Sequence, residues 1–349
     1  MKTEIVKIDS EHIEEDRIRR AGDIIKEGGL VAFPTETVYG LGGDALDADS
    51  SRKIYAAKGR PSDNPLIVHI ADFADLEKIV TEVPKEAVQL ADAFWPGPLT
   101  MILNKNEKVP YETTGGMDTV AIRMPSHPVA LAFIRAGGGY IAGPSANTSG
   151  KPSPTLAEHV ALDLDGKIPM ILDGGEVGIG IESTIVDLTE DVPMILRPGY
   201  ITPEMIEKVI GEVKVDPGII ASDSAKKPKA PGMKYKHYAP KADLVLVDGE
   251  SGAVVEKINA LAKEMEAQGK KVGIIATDET EKYYKTGEIL SIGARDDEDA
   301  IARHLYRILR EFDDMDVEQI YSESFETPRI VQAIMNRLLK AAGHQVIHV

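Results

Sequence analysis

Cysteine is absent from this chain of 349 residues, and tryptophan occurs once. Without cysteine there is no disulfide, no thiolate nucleophile and no cysteine-held metal, a composition that fits a reducing cytoplasm. Aromatic side chains make up 5%, with 6 Phe, too few for a platform on which successive bases stack. No apolar run approaches the ~20 residues that span a bilayer. Acids break the opening segment Met1–Asp9 before a signal-peptide core forms. Positive charge is also scarce. Lys and Arg number 40 against 57 Asp and Glu, a formal net charge of -17. Phosphate neutralisation drives general polyanion binding, so the charge argues against that class and leaves room for a local basic site for one small anion. Neither GxSxG nor HExxH occurs, and GxGxxG and GxxxxGK[ST] are missing from the C-terminal region.

What remains is ordinary globular composition, 43% hydrophobic and 28% charged, long enough for two domains. Charge divides the chain. Residues 1–213 carry 20 bases and 34 acids, and residues 242–349 carry 13 and 21. Between them, 214–241 carries seven lysines, two aspartates, four prolines and two glycines. That stretch reads as an extended Lys/Pro-rich linker, either a solvated tether or a lid.

In 1–213, short apolar runs at 30–33, 66–70, 99–103, 119–123, 184–188 and 194–197 read as strands among helices near 50–58, 84–94, 127–136 and 203–210. Several strands follow one another too closely for helical crossovers, so a mixed sheet is expected. In 242–349, strands at 243–247, 271–276 and 317–321 alternate with helices near 252–268, 296–312 and 327–342. This pattern predicts a smaller three-layer α/β domain with a parallel sheet.

Five segments are richer in Gly, Pro and polar residues than a scaffold needs. In 28–46 a buried strand runs into Pro34-Thr35-Glu36-Thr37 and then a Gly-rich turn. In 58–70, Lys58 and Arg60 flank one residue, a point charge and a fork suited to a polyphosphate, and His69 ends the strand. In 115–128, Arg123 sits in an apolar strand, where an unpaired charge is costly. Its partner is either an internal carboxylate or a substrate's. In 141–155, hydroxyl and amide residues crowd a loop that reads as a phosphate nest or as a flexible surface loop. In 180–199, Ser183 and Arg197 lie on a hairpin. No covalent nucleophile stands out, and the donor-rich set suits phosphoryl or nucleotidyl chemistry.

FPTETVYGLG, KGRPSDNPLIVHI, FWPGPLT, TVAIRMPSHP, PSANTSGKPSPT, GIESTIVDL, ILRPG and PGMKYKHYAP follow one another across most of residues 20–240. Together they resemble the YrdC-domain family in its two-domain form, the threonylcarbamoyl-AMP synthases. The resemblance implies an N-terminal twisted mixed-sheet domain with a concave cationic cleft and a C-terminal Rossmann-like accessory domain. It implies a nucleotidyltransferase that converts L-threonine, bicarbonate (or CO2) and ATP to threonylcarbamoyl-AMP and pyrophosphate in the cytoplasm. Mg2+ would ride on the ATP phosphates, with no metal ligand from protein side chains. The product would pass to a transferase that modifies a tRNA adenosine.

By the same resemblance, Thr35, His69, Arg123, Gly143 and Ser183 line the threonine pocket, with Arg123 on the carboxylate. Lys58, Arg60, Ser62, Asn64, Thr119, Ser145, Asn147, Ser153, Arg197 and the linker's Tyr235 face ATP. Lys58 and Arg60 are the catalytic cations. Two other readings remain, an RNA-binding module, which salt-titrated RNA binding separates, and a carbamoyl transferase acting on carbamoyl phosphate. Pyrophosphate release that needs threonine and bicarbonate together separates the second.

Overall fold

The computed structural model describes residues 2–219, 237–326 and 329–349. Tyr235 and most of the proposed lid lie outside the described residues. The chain forms two compact units. The first comprises the described residues of 2–149, 153–178 and 182–219, and the second 150–152, 179–181 and the described residues from 237 onward.

In the first unit the strands are β1 (Glu4–Lys7), β2 (Val31–Phe33), β3 (Gly40–Asp44), β4 (Ile67–His69), β5 (Leu99–Asn104), β6 (Thr119–Arg123), β7 (Ile141–Ala142), β8 (Met170–Asp173), β9 (Thr184–Asp187), β10 (Met194–Arg197) and β11 (Lys214–Val215). They form one sheet in the order β1-β8-β2-β3-β7-β4-β6-β5-β9-β10-β11. Parallel pairs such as β4 with β6 adjoin antiparallel pairs such as β5 with β6, the expected mixed sheet. β11 lies inside the stretch read as linker, and its pairing with β10 ties those first residues to the sheet edge.

β3 departs from expectation. The Gly-rich segment after Tyr39 was expected to turn, yet it is a buried strand between β2 and β7. Its glycines make room for neighbours. A Cβ on Gly40 would stand 2.9 Å from the Phe33 ring, and one on Gly42 would stand 3.0 Å from the Val31 carbonyl oxygen. Gly here serves close packing between strands, not chain reversal.

The helices are α1 (Glu15–Lys26), α2 (Ala48–Lys58), α3 (Lys85–Phe94), α4 (Pro128–Ala136), α5 (Ala157–Leu164) and α6 (Pro203–Ile210). α2 places a site residue. The Asp47 side chain caps its first turn by accepting from the Asp49 and Ser50 backbone N–H groups. Gly59, at φ 62°, ends it in the left-handed region, so Lys58 occupies the last turn.

Strand alternation sorts the core onto the two faces of the sheet. On one face, Val68, Val120, Ile122, Met101 and Ile195 join the largest apolar cluster, together with residues of α2, α3, α5 and α6. The opposite face has two halves. Val31, Phe33, Ile141 and Met170 pack under α1 and α4. Ile67, Ile102, Ala121, Ile185, Leu196 and Met194 form a second patch made of strand residues alone. Pairing of Val68 with Ala142 and of His69 with Ile141 puts both halves on the same side. One half of this face packs under helices, and the other is a buried apolar floor of strand residues.

In the second unit β12 (Asp243–Asp248), β13 (Val272–Ala276), β14 (Glu288–Ser291), β15 (Gln319–Glu323) and β16 (Val346–His348) make a parallel sheet in the order β14-β13-β15-β12-β16. Val272 and Ile274 pack with Val254, Ile258 and Ala262 of α7 (Ser251–Ala267). Gly273, between them, faces Phe312 of α8 (Glu298–Asp314) on the other side. Helices on both faces make the expected three layers, completed by α9 (Val331–Ala341).

Gly42→Ala forces a methyl group into the contact between β2 and β3. We expect a loss of about 1–3 kcal/mol, read as a lower midpoint in urea unfolding. Wild-type stability would contradict the packing role given to this glycine.

Candidate active site

The registers draw a line across the second half of that sheet face. His69 of β4 pairs with Arg123 of β6, Arg123 with Thr100 of β5, Thr100 with Ile185 of β9, and Ile185 with Arg197 of β10. The register shifts between Ile195 and Arg197, and this irregularity sets Arg197 opposite Ile185. A row of two guanidiniums, an imidazole and a hydroxyl thus borders the apolar floor.

Arg123 is 4% exposed. Its Nη1 donates to Thr37 Oγ1 at 2.9 Å and its Nε to the Gly97 carbonyl at 3.4 Å. Its Nη2 stands 2.7 Å from Glu36 Oε1, an ion pair outside hydrogen-bond geometry. The partner of Arg123 in this structure is therefore an internal carboxylate. Thr35 lies in the same loop, where its hydroxyl meets Thr37 Oγ1 at 3.0 Å and donates to the Val38 carbonyl at 2.6 Å.

Beside Arg123, His69 is buried edge-on to Phe33, with ring centroids 5.7 Å apart. Burial first, and the Arg123 charge second, push its pKa down to about 3. It is a neutral imidazole at physiological pH, and so a hydrogen-bonding group rather than a charge. A Cβ on Gly143 would lie 3.2 Å from this ring and 3.3 Å from Phe33, so the glycine leaves space for His69.

At the other end of the row, Arg197 donates from Nε to the Ser183 carbonyl at 3.0 Å and from Nη2 to Ser183 Oγ at 3.1 Å. Ser183 Oγ also lies 2.7 Å from Thr100 Oγ1. Both side chains are buried. Ser153, in the crowded 141–155 loop, donates to Glu182 Oε1 at 2.5 Å.

Lys58 is 1% exposed and donates to the backbone carbonyls of Ser145 and Asn147. Its ammonium therefore fixes the 145–147 loop to the end of α2. A bridge between Gly40 and Ser145 ties the same loop to β3. Arg60 folds back onto its own segment, donating to the Asn64 carbonyl at 3.1 Å and the Pro65 carbonyl at 2.9 Å. Ser62 is exposed. Thr119 opens β6, about 13 Å from Arg123 at the usual strand rise. Continuing the β4–β6 register puts it level with Pro65, beside Asn64. The residues assigned to threonine thus gather at one end of this strand pair, and Arg60, Asn64 and Thr119 at the other.

Residue-type reasoning missed three features. Glu36 and Thr37 were passed over as part of a loop, although a strand arginine announces a need for such partners. The floor residues Ile67, Ala121, Ile185 and Leu196 were read only as strand interior. The two-residue spacing of Ile67, Ala121 and Ile185 from His69, Arg123 and Ser183, which puts them on the same face of their strands, was the available signal.

Native interiors leave few buried polar atoms unpartnered, and such atoms call for an explanation. Here Glu36, Asn64, His69 and Arg123 each carry buried side-chain atoms that make no hydrogen bond. All four belong to this site. One cavity of the second unit shows the opposite case. A cavity of about 320 Å³ there is lined by Arg295 and Glu323, but the Glu323 carboxylate accepts from Thr280, Tyr284 and Arg295. Those groups satisfy one another.

Comparison with known proteins gives the family. Residues 23–199 match the Sua5/YciO/YrdC family model, described as telomere recombination. Residues 201–343 match a model described as the C-terminal domain of threonylcarbamoyl-AMP synthase. A threonylcarbamoyl-AMP synthase of Pyrococcus abyssi is 51% identical over 339 residues, 97% of this chain and 98% of its own. One of Bacillus subtilis is 51% identical over 334 residues, 95% of each chain. The crystal structure of P. abyssi Sua5 complexed with L-threonine is 50% identical, with a TM-score of 0.94 over 99% of this chain and 100% of that one.

The depressed His69 pKa has a consequence for stability. The unfolded chain takes up a proton near the ordinary histidine value of ~6.5, and the folded chain resists it down to about 3. This contribution is therefore complete above the unfolded value and declines as pH falls through that window. In His69→Gln the part of the acid destabilisation between those limits that comes from this ring disappears, as denaturant melts at stepped pH will show. Parallel pH profiles for the two proteins would contradict a buried neutral imidazole.

Proposed function

The chain belongs to the Sua5/YciO/YrdC family in its two-domain form, and from its site we propose that it is a threonylcarbamoyl-AMP synthase acting as a nucleotidyltransferase. L-threonine, bicarbonate and ATP are its substrates, and threonylcarbamoyl-AMP and pyrophosphate its products. The observation that carries this reading is the set of unpartnered polar atoms on Glu36, Asn64, His69 and Arg123, bordering one apolar sheet surface. Such a site is complete only with a ligand that brings charge at one end and hydrogen-bond donors at the other.

Threonine supplies the first end. Its carboxylate is received by Arg123, whose guanidinium has N–H groups beyond those given to Thr37 and Gly97. Thr35, His69 and Ser183 surround the rest of the amino acid, and Arg197 holds Ser183 in place. The nucleoside supplies the second end. Asn64 Oδ1 is a buried acceptor, which suits a ribose hydroxyl or a base amine rather than a phosphate. The floor of Ile67, Ala121, Ile185 and Leu196 gives the nucleoside an apolar surface.

Once threonine carbamate forms, it must attack the α-phosphate in line and expel pyrophosphate. The two reactants are anions that repel each other, so alignment and neutralisation are the whole catalytic task. Lys58 and Arg60 supply positive charge near the 145–147 loop and the 60–65 segment. Mg2+ enters on the ATP phosphates as part of the substrate. Ser62, Ser145, Asn147 and Ser153 complete the nucleotide side, with Thr119 and Tyr235. The product goes on to a transferase that modifies tRNA. Among the described residues no helix is long and apolar enough to cross a membrane.

The test is pyrophosphate release measured with each substrate withheld in turn. Release should require threonine and bicarbonate together, and release without either overturns the reading. Arg123→Ala should weaken threonine binding by ~2–5 kcal/mol while ATP binding changes little. Calorimetric titrations showing equal losses for both ligands would remove Arg123 from the threonine carboxylate.

A further inference from the structure

The proposed chemistry releases a proton, and no group has yet been assigned to take it. Threonine enters as an ammonium. Bicarbonate plus the ammonium gives the N-carboxylate, one water and one proton. The N–C bond forms, a C–O bond of bicarbonate breaks, and the proton must leave the nitrogen before its electron pair can attack.

His69 is poorly suited to this work. Its burial against Phe33 and its place beside the Arg123 charge make the ring a weak base. Glu36 stands differently. It lies in the loop between β2 and β3, and its side chain is 12% exposed. Both carboxylate oxygens are buried, and neither accepts a hydrogen bond. Its one strong interaction is the ion pair with Arg123 at 2.7 Å. The charged and titratable groups facing it are Arg123 and His127, which caps α4 by accepting from the Val129 N–H at 3.2 Å. A buried carboxylate without donors is costly. An ammonium offers three.

We propose that Glu36 receives the ammonium group of threonine and takes the proton released when the carbamate forms. This rests on the reading that Arg123 holds the threonine carboxylate. The two charged groups of an α-amino acid are separated by a single carbon. A carboxylate anchored on Arg123 therefore brings its own ammonium beside a side chain that already touches Arg123. The zwitterion matches the ion pair it meets, positive to negative at each end.

The charges then drive the step forward. When the nitrogen gains its carboxylate, the substrate end changes from positive to negative. Glu36, protonated by the same event, has lost the negative charge that would repel the new anion. The carbamate is then drawn only toward the cations of the nucleotide side. Glu36 returns to its ionised form by losing the proton after the product has left.

The test compares L-threonine with 2,3-dihydroxybutanoate, which has a hydroxyl in place of the α-amine, by calorimetric titration of the full chain. Glu36→Gln keeps the size of the side chain and removes its charge. It should bind threonine about 10-fold or more weakly, bind the hydroxy acid as the wild type does, and lose pyrophosphate turnover. Glu36→Asp keeps the charge and should keep the preference for threonine over the hydroxy acid. Equal weakening of both ligands in Glu36→Gln, with a lowered thermal midpoint, would mark Glu36 as structural and overturn the proposal. Wild-type threonine binding and turnover in Glu36→Gln would also overturn it. If the wild type itself binds neither compound, the functional reading fails, whatever the variants do.

Discussion

A guanidinium almost wholly withdrawn from water in the middle of a sheet sets the conditions for everything around it. Arg123 occupies a strand whose other residues are apolar, and an uncompensated charge there would cost several kcal/mol. The compensation comes from the loop after β2, where Glu36 and Thr37 reach the two terminal nitrogens. That loop is therefore bound to the sheet by a charge rather than by packing. The partnership is incomplete on purpose of geometry, since Glu36 keeps two buried oxygens without hydrogen bonds. A ligand with opposite charges at neighbouring atoms fits that deficit.

The same economy operates across the site. Lys58 spends its ammonium on the carbonyls of the 145–147 loop, and Arg197 spends its guanidinium on Ser183. Each cation holds a piece of backbone in position while adding positive charge to it. Positioning of this kind stabilises developing charge without a covalent intermediate. It also explains why no nucleophile with an attendant base is visible. The row His69, Arg123, Thr100 and Arg197 borders a small apolar patch of strand residues that are themselves buried.

How far the sequence foretold this varies from element to element. Runs such as 119–123 and 194–197 coincide with strands because β-branched and apolar residues between turn signals leave little choice. The segment 203–210 is a helix bounded by Thr202 as cap and Gly211, a signature local enough to read directly. β3 was not legible, because Gly-Leu-Gly-Gly-Asp has turn composition and becomes a strand only where two neighbours press too closely for side chains. β1 and β16 escaped notice for a related reason, each being a short strand that depends on pairing with a distant partner. Arg123 was legible as a charge needing a partner, but Glu36, 87 positions earlier, was not identifiable as that partner.

The amino-acid order alone settled the composition of the site: which cations, hydroxyls and amides were available, the absence of thiol and metal chemistry based on cysteine, and the division into two α/β parts. These follow from residue type and local periodicity, which act over a few positions. Which groups meet was decided by the folded chain. Strand registers set His69 beside Arg123 and Arg197 opposite Ile185, and place two separate apolar clusters on one face. Hydrogen-bonded pairing between strands far apart in the chain fixes such neighbours, and no local pattern contains it.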